Sequence, residues 1–152
     1  MKNEKLIKLA TSVIKKKKIG NNTIGDVGCA VLSEKGKVHL GICVDTIAGM
    51  GFCAEHNAIG QMVTSGEYRF KKIVAVWKDK NGKAHVLHPC GRCREFMRQM
   101  SKRNMESEII LGLDKVVKLK ELLPYNGDFH KVYDFNAKCA KLGYILNFHE
   151  WT

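Results

Sequence analysis

A repeated switch in hydrophobic period constrains this chain more than any other feature. Residues 27–32 and 38–44 are apolar and β-branched enough to read as strands, and the polar stretch 33–37 between them reads as a hairpin turn. From Cys53 to Thr64 the apolar positions Ala54, Ala58, Ile59, Met62 and Val63 fall at helical spacing, with Gly66 standing where a C-cap residue belongs. The strand period then returns at 72–77, and at a shorter stretch, Ala84–Leu87, beyond the turn at 79–82. Phe96, Met97 and Met100 restore the helical period over 94–100, and 108–111 and 115–119 read as two further short strands. A chain alternating in this way must bury sheet faces under helices. The prediction is an α/β fold: a three-layer α/β/α sandwich around a mixed central sheet of about five strands.

With 152 residues the chain is about one domain long, enough to bury roughly 68–70% of its unfolded surface without disulfides or metal. The expected organisation is a single domain over 1–152 with its core at about 27–124. Leu6, Leu9, Ala10, Val13 and Ile14 give it an amphipathic N-terminal helix, and a C-terminal extension follows the core. That extension is expected to carry a further helix, with Phe148 and Trp151 near its end as groups that could cover a site or an interface.

No apolar run approaches the ~18 residues of a membrane span, and the opening Met-Lys-Asn-Glu-Lys lacks the apolar core of a signal peptide. A reduced cytoplasmic setting is therefore expected, in which clustered cysteines point to metal or catalysis rather than to disulfides. The formal charge is +11, and six of those charges fall within the first eighteen residues, where Lys15 to Lys18 form a run. Nucleic-acid binding would need such charge. Stacking on single strands also needs interleaved aromatics, and none precedes Phe52. A solvated basic face is the reading adopted, with a zinc-stabilised RNA-binding module as the alternative from another class.

Three of the six cysteines stand apart. Cys53 follows a Gly-rich loop and opens a helix, while Cys90 and Cys93 lie in Pro89-Cys90-Gly91-Arg92-Cys93 at the start of another. Helix N-termini favour thiolate charge, and zinc is the metal suited to three thiolates. Three protein ligands leave one position open for chemistry; the competing arrangement is a closed structural site with His88 or His56 as fourth ligand. Glu55, in the first turn after Cys53, can reach back as an acid–base group. Cys29 and Cys139 lie in apolar segments and read as core.

The pattern Cys53-Ala54-Glu55 followed by Pro89-Cys90-Gly91-Arg92-Cys93-Arg94 resembles the zinc-dependent cytidine deaminase family, in the branch acting on free nucleosides that includes cytidine and blasticidin S deaminases. The likeness runs from about Val27 to Pro124. It implies one Zn²⁺ per chain on Cys53, Cys90 and Cys93, and hydroxide attack at C4 of a small-molecule cytosine nucleoside. Glu55 would carry protons to the pyrimidine N3 and to the leaving amine, and Arg94 would donate hydrogen bonds to the ligand thiolates. Substrate contacts would come from the backbone at Ala54 and Pro89 and from the strand end at Cys43 and Asp45. Short relatives are mostly homotetramers, which implies a tetramer here.

The chain also departs from the family pattern. Cys43-Val44-Asp45 stands where an Asn-x-Glu usually grips the ribose, Gly25 replaces an aromatic residue, His56 replaces an Arg, and Glu95 replaces a Gln. A shortened carboxylate at Asp45 and open space at Gly25 would relax selection at the sugar or exocyclic amine. Cytidine is the default substrate, and a blasticidin S-type or modified cytidine is the alternative.

Overall fold

The structure is a computed structural model that describes residues 1–126. The expected C-terminal helix, Cys139, His130, His149, Phe148 and Trp151 lie outside the described residues. In chain order the elements are α1 (Asn3–Ser12), β1 (Lys17–Ile19), β2 (Asn22–Ser33), β3 (Val38–Asp45), α2 (Ala54–Thr64), β4 (Phe70–Lys78), β5 (Ala84–Leu87), α3 (Gly91–Met100), β6 (Glu108–Ile110), β7 (Val116–Lys118) and α4 (Leu119–Leu122). Two 3₁₀ turns, Ile47–Gly49 and Lys102–Glu106, join them.

All seven strands form one mixed sheet. Across its width the order is β3-β2-β4-β6-β7, antiparallel except for the parallel β4–β6 pair. This is the five-strand width read from the sequence. The other two strands extend existing rows: Thr23 and Ile24 pair with both β1 and β3, so β1 continues the edge of β2 that β4 occupies. Likewise β5 pairs with β4 from Ala75 to Lys78, beyond the Lys72 and Ile73 contacts to β6.

Alternation along β2 decides the layers. Ala30 and Leu32 face one side, where Leu6 and Ala10 of α1 meet Val74, Val76 and Ile110. Cys29 and Val31 face the other, packed with Ala54, Ala58, Ile59 and Met62 of α2 and Met97 of α3. The result is the expected three-layer arrangement. No described helix is long and apolar enough to cross a membrane.

Two glycines set how closely the layers approach. A Cβ on Gly28 would lie 2.1 Å from the Ala10 carbonyl oxygen, so α1 rests directly on the β2 backbone. On the other face a Cβ on Gly41 would lie 2.3 Å from the Ala58 nitrogen and 2.6 Å from the Ala54 oxygen. Here α2 lies against β3, with its first turn at the end of the strand where the chain turns toward Cys53.

One sequence-based expectation about the elements is corrected. The first helix ends at Ser12, before Val13 and Ile14, so Lys15 to Lys18 are not on its face; Lys17 and Lys18 instead lie in β1. Exposed lysines on a short edge strand discourage pairing with another chain. The third helix begins at Gly91, which places Cys93 in its first turn. With β1 and β5 counted, the sheet has seven strands across its five-strand width.

Gly41 and Gly60 make a direct comparison. Gly41→Ala should destabilise the chain by about 3 kcal/mol, because the crowding atoms are backbone and cannot step aside. Gly60→Ala, in α2 with nothing within 4 Å of the new Cβ, should stabilise by up to about 1 kcal/mol. Urea melts of the two variants check this; a Gly41→Ala protein as stable as its parent would contradict the close packing of α2.

Candidate active site

Cys53 is the N-cap residue of α2 and Cys90 the N-cap residue of α3, both in extended backbone, and Cys93 stands in the first turn of α3. Neither N-cap side chain bonds back to its own helix in the usual capping manner. The loop before Cys53 is folded against the end of β3: Val44 and Phe52 exchange both backbone hydrogen bonds, at 3.0 and 2.9 Å. Gly51 is required there, since a Cβ would lie 2.4 Å from the Val44 oxygen. Arg92 then ties the two helix starts together, its Nη1 donating to the Gly51 carbonyl at 3.3 Å.

The three sulfurs converge. Cys53 and Cys90 Sγ are 3.8 Å apart, Cys90 and Cys93 Sγ are 3.5 Å apart, and all three lie within 4.8 Å of one another. Ligands placed tetrahedrally around zinc at about 2.3 Å stand about 3.8 Å from each other, so this donor set fits zinc. Among the described residues the group contains these three cysteines and no histidine nitrogen.

Burial pushes the Cys93 thiol far above its ordinary value, with the charges of Glu55 and Cys53 adding to the effect. Burial raises Cys53 as well, against a hydrogen bond from Cys93. Burial also acts to raise Cys90, but hydrogen bonds from the Cys93 amide and from the Cys93 and Cys53 thiols outweigh it and hold Cys90 below its usual range. Glu55 is only 5% exposed. Burial raises its carboxyl pKa, offset in part by its own amide and by the Cys93 thiol, which brings Glu55 to the sulfur cluster despite its i+2 spacing from Cys53.

Beside the sulfurs lies a cleft of about 220 Å³, lined among others by Asp26, Cys43, Asp45, Ala54, Glu55 and His88. Cys43, Asp45 and Ala54 thus share this cleft with Glu55. Pro89 is buried behind it, against Glu55 and Met97. Asp26 had no place in the sequence reading. It is brought in by a register shift of β2 between Ile24 and Gly28, and it accepts a hydrogen bond from the Cys43 thiol at 2.8 Å. Burial and that bond push the Cys43 pKa up to about 11. Gly25 does not open the cleft: a Cβ there would lie 2.9 Å from the Lys15 carbonyl oxygen, so neighbouring backbone already fills the space.

The sequence profile of the cytidine and deoxycytidylate deaminase zinc-binding region matches residues 1–107. The chain belongs to this deaminase family. It is 35% identical over 71 residues to a probable cytidine deaminase of Dictyostelium discoideum, a match covering 46% of each protein. It is 34% identical over 76 residues to a blasticidin-S deaminase of Bacillus cereus, covering 47% of this chain and 54% of the relative. The chain thus spans about half the length of these relatives. The crystal structure of cytidine deaminase from Mycobacterium leprae superposes with a TM-score of 0.64 at 27% identity, covering 80% of this chain and 97% of that one. That of Mycobacterium tuberculosis gives 0.65 at 26% identity, covering 82% and 96%.

Within this deaminase fold Arg94 is not placed at the sulfurs as the resemblance implied. Its Nε donates to the Pro89 carbonyl at 2.8 Å and its Nη1 to the Leu122 carbonyl at 3.0 Å, which holds the turn before Cys90 against α4. Glu95, the other departure on this helix, pairs with Arg98 and accepts a hydrogen bond from Gln99. Sequence reasoning gave no role to Arg92 or Asp26; only the paired register of β2 and β3 and the fold of the Cys53 loop reveal them.

Elemental analysis of the purified deaminase-family chain should find one zinc per chain, and Cys90→Ser should lower that occupancy steeply. Protein lacking stoichiometric zinc, with its thiols reduced, would count against the site.

Proposed function

We propose that this chain is a zinc-dependent hydrolase that deaminates a cytosine nucleoside to the uracil nucleoside, with cytidine as the default substrate. The observation that carries the reading is the convergence of three cysteine sulfurs with a buried carboxylate at the edge of an open cleft. Cys53, Cys90 and Cys93 would hold zinc, which when bound would acidify water enough to supply a nucleophile near neutral pH. Glu55 is the acid–base group: its raised pKa suits it to take a proton from the attacking water and deliver it to the pyrimidine N3, then to take the remaining proton from the new C4 hydroxyl and pass it to the departing amino group. Ammonia leaves and C4 becomes a carbonyl, so water is the other reactant. Backbone at Ala54 and Pro89 meets the base, and Cys43 and Asp45 stand at the sugar end.

Two observations favour relaxed selection at the sugar or exocyclic amine, and with it a blasticidin S-type or modified-cytidine substrate as the second reading. The Cys43 thiol is committed to Asp26, and Asp45 is exposed. Fewer fixed partners for a hydroxyl mean a smaller penalty when the hydroxyl is missing. The reading is of one domain over 1–152, working in the cytoplasm as a homotetramer, as short relatives suggest, without nucleic acid as a partner.

Cytidine, 2′-deoxycytidine, an N4-substituted cytidine and blasticidin S should be compared by kcat/KM, with released amine counted and the mass of the active species read by light scattering. Stoichiometric ammonia from cytidine is expected. Glu55→Ala should keep zinc and fold while kcat falls by roughly 10²–10⁴-fold. No turnover of any cytosine nucleoside by the zinc-loaded chain would overturn the activity, normal turnover by Glu55→Ala would overturn the proton role, and a fully active monomer would overturn the tetramer.

A further inference from the structure

Among the described residues, His56 meets a cysteine sulfur of this cluster in addition to Glu55. Its Nδ1 stands 3.5 Å from Cys93 Sγ. Two features fix the ring in that position. The His56 backbone amide donates to the Cys53 carbonyl at 3.1 Å in the first turn of α2. The imidazole lies flat on Phe96 of α3, with ring centroids 4.4 Å apart and planes 18° from parallel. A thiolate ligand can only accept a hydrogen bond, so a nitrogen facing it must carry the proton. Arg94, the residue the family resemblance placed in this role, has its guanidinium turned to the Pro89 and Leu122 carbonyls.

We propose that His56 is a positioning residue of the zinc site: it donates from Nδ1 to Cys93 Sγ, orients that thiolate and relieves part of its negative charge. The proposal rests on the zinc reading above. The donation reaches across from α2 to α3, so it also couples the helix carrying Cys53 and Glu55 to the helix carrying Cys90 and Cys93. Partners of this kind hold ligands in place and typically alter metal affinity or activity by roughly 10–100-fold when removed. Phe96 contributes by stacking, because the ring cannot swing its nitrogen away without losing that packing. Arg94 acts one step further out, fixing the turn that delivers Cys90.

Two variants separate donation from packing. His56→Phe keeps an aromatic ring on Phe96 and removes the donor; His56→Asn places an amide N–H at about the position of Nδ1. Zinc affinity is read by competition with a chromophoric chelator, with circular dichroism confirming the fold. His56→Phe should bind zinc roughly 10–100-fold more weakly, and His56→Asn should bind close to the parent. His56→Phe with parental affinity, or His56→Asn as weak as His56→Phe, would overturn the proposal. A variant-free check is the ¹⁵N chemical shift pattern of His56 in the zinc-loaded chain: a proton on Nδ1 is expected, and a ring protonated on Nε2 alone would overturn it. Both readouts are independent of turnover, so their outcome is distinct from success or failure of the deaminase reading.

Discussion

The structure depends on gathering like charge. Three sulfurs that bind metal as thiolates stand within 4.8 Å of one another, with the Glu55 carboxylate buried beside them. Burial drives Cys53, Cys93 and Glu55 toward their neutral forms, while hydrogen bonds hold the Cys90 thiol below its usual range. The local offset is built into the backbone: α2 and α3 both point their N-terminal ends at the cluster, and a helix N-terminus contributes about 0.3–1 kcal/mol, up to ~2 when partly buried, toward a nearby anion. A divalent cation supplies the rest, which is why metal and fold belong together at this point.

Everything upstream serves to deliver those two helix ends. Gly41 lets α2 lie directly against β3, so its first turn emerges at the strand end next to the cleft. Gly51 lets the preceding loop double back onto Val44, and Arg92 fastens that loop to α3. Arg94 secures the other side by tying Pro89 to Leu122. The chain's excess positive charge lies largely elsewhere; the Lys15 to Lys18 run is exposed, and among those four lysines only Lys16 has an ion pair among the described residues, with Asp26 at 3.6 Å.

How much of this was legible in the sequence follows from the range of each interaction. The strands, helices and the three cysteines of the candidate metal site announce themselves by local period and spacing, and the five-strand width agrees with the sequence reading. Lys17–Ile19 was not, because three exposed residues carry no burial pattern and become a strand only through pairing with β2. Asp26 was invisible for a related reason: a register shift, not a motif, aims it at Cys43. Gly25 was misread because an absent side chain looks like empty space until the Lys15 backbone is found there. Arg94 and His56 show the limit of carrying roles over by position. Which of two polar side chains meets a thiolate is decided by where competing carbonyls lie, and Pro89 and Leu122 claim the arginine.

The claim that most needs a direct measurement is that three cysteines, and no histidine, hold the metal and leave a fourth position free for chemistry. Zinc K-edge X-ray absorption on the purified chain measures this. Three sulfur scatterers at about 2.3 Å and one light scatterer, oxygen, at about 2.0 Å are expected. A fourth sulfur, or the multiple-scattering signature of a coordinated imidazole, would show a closed site and contradict it.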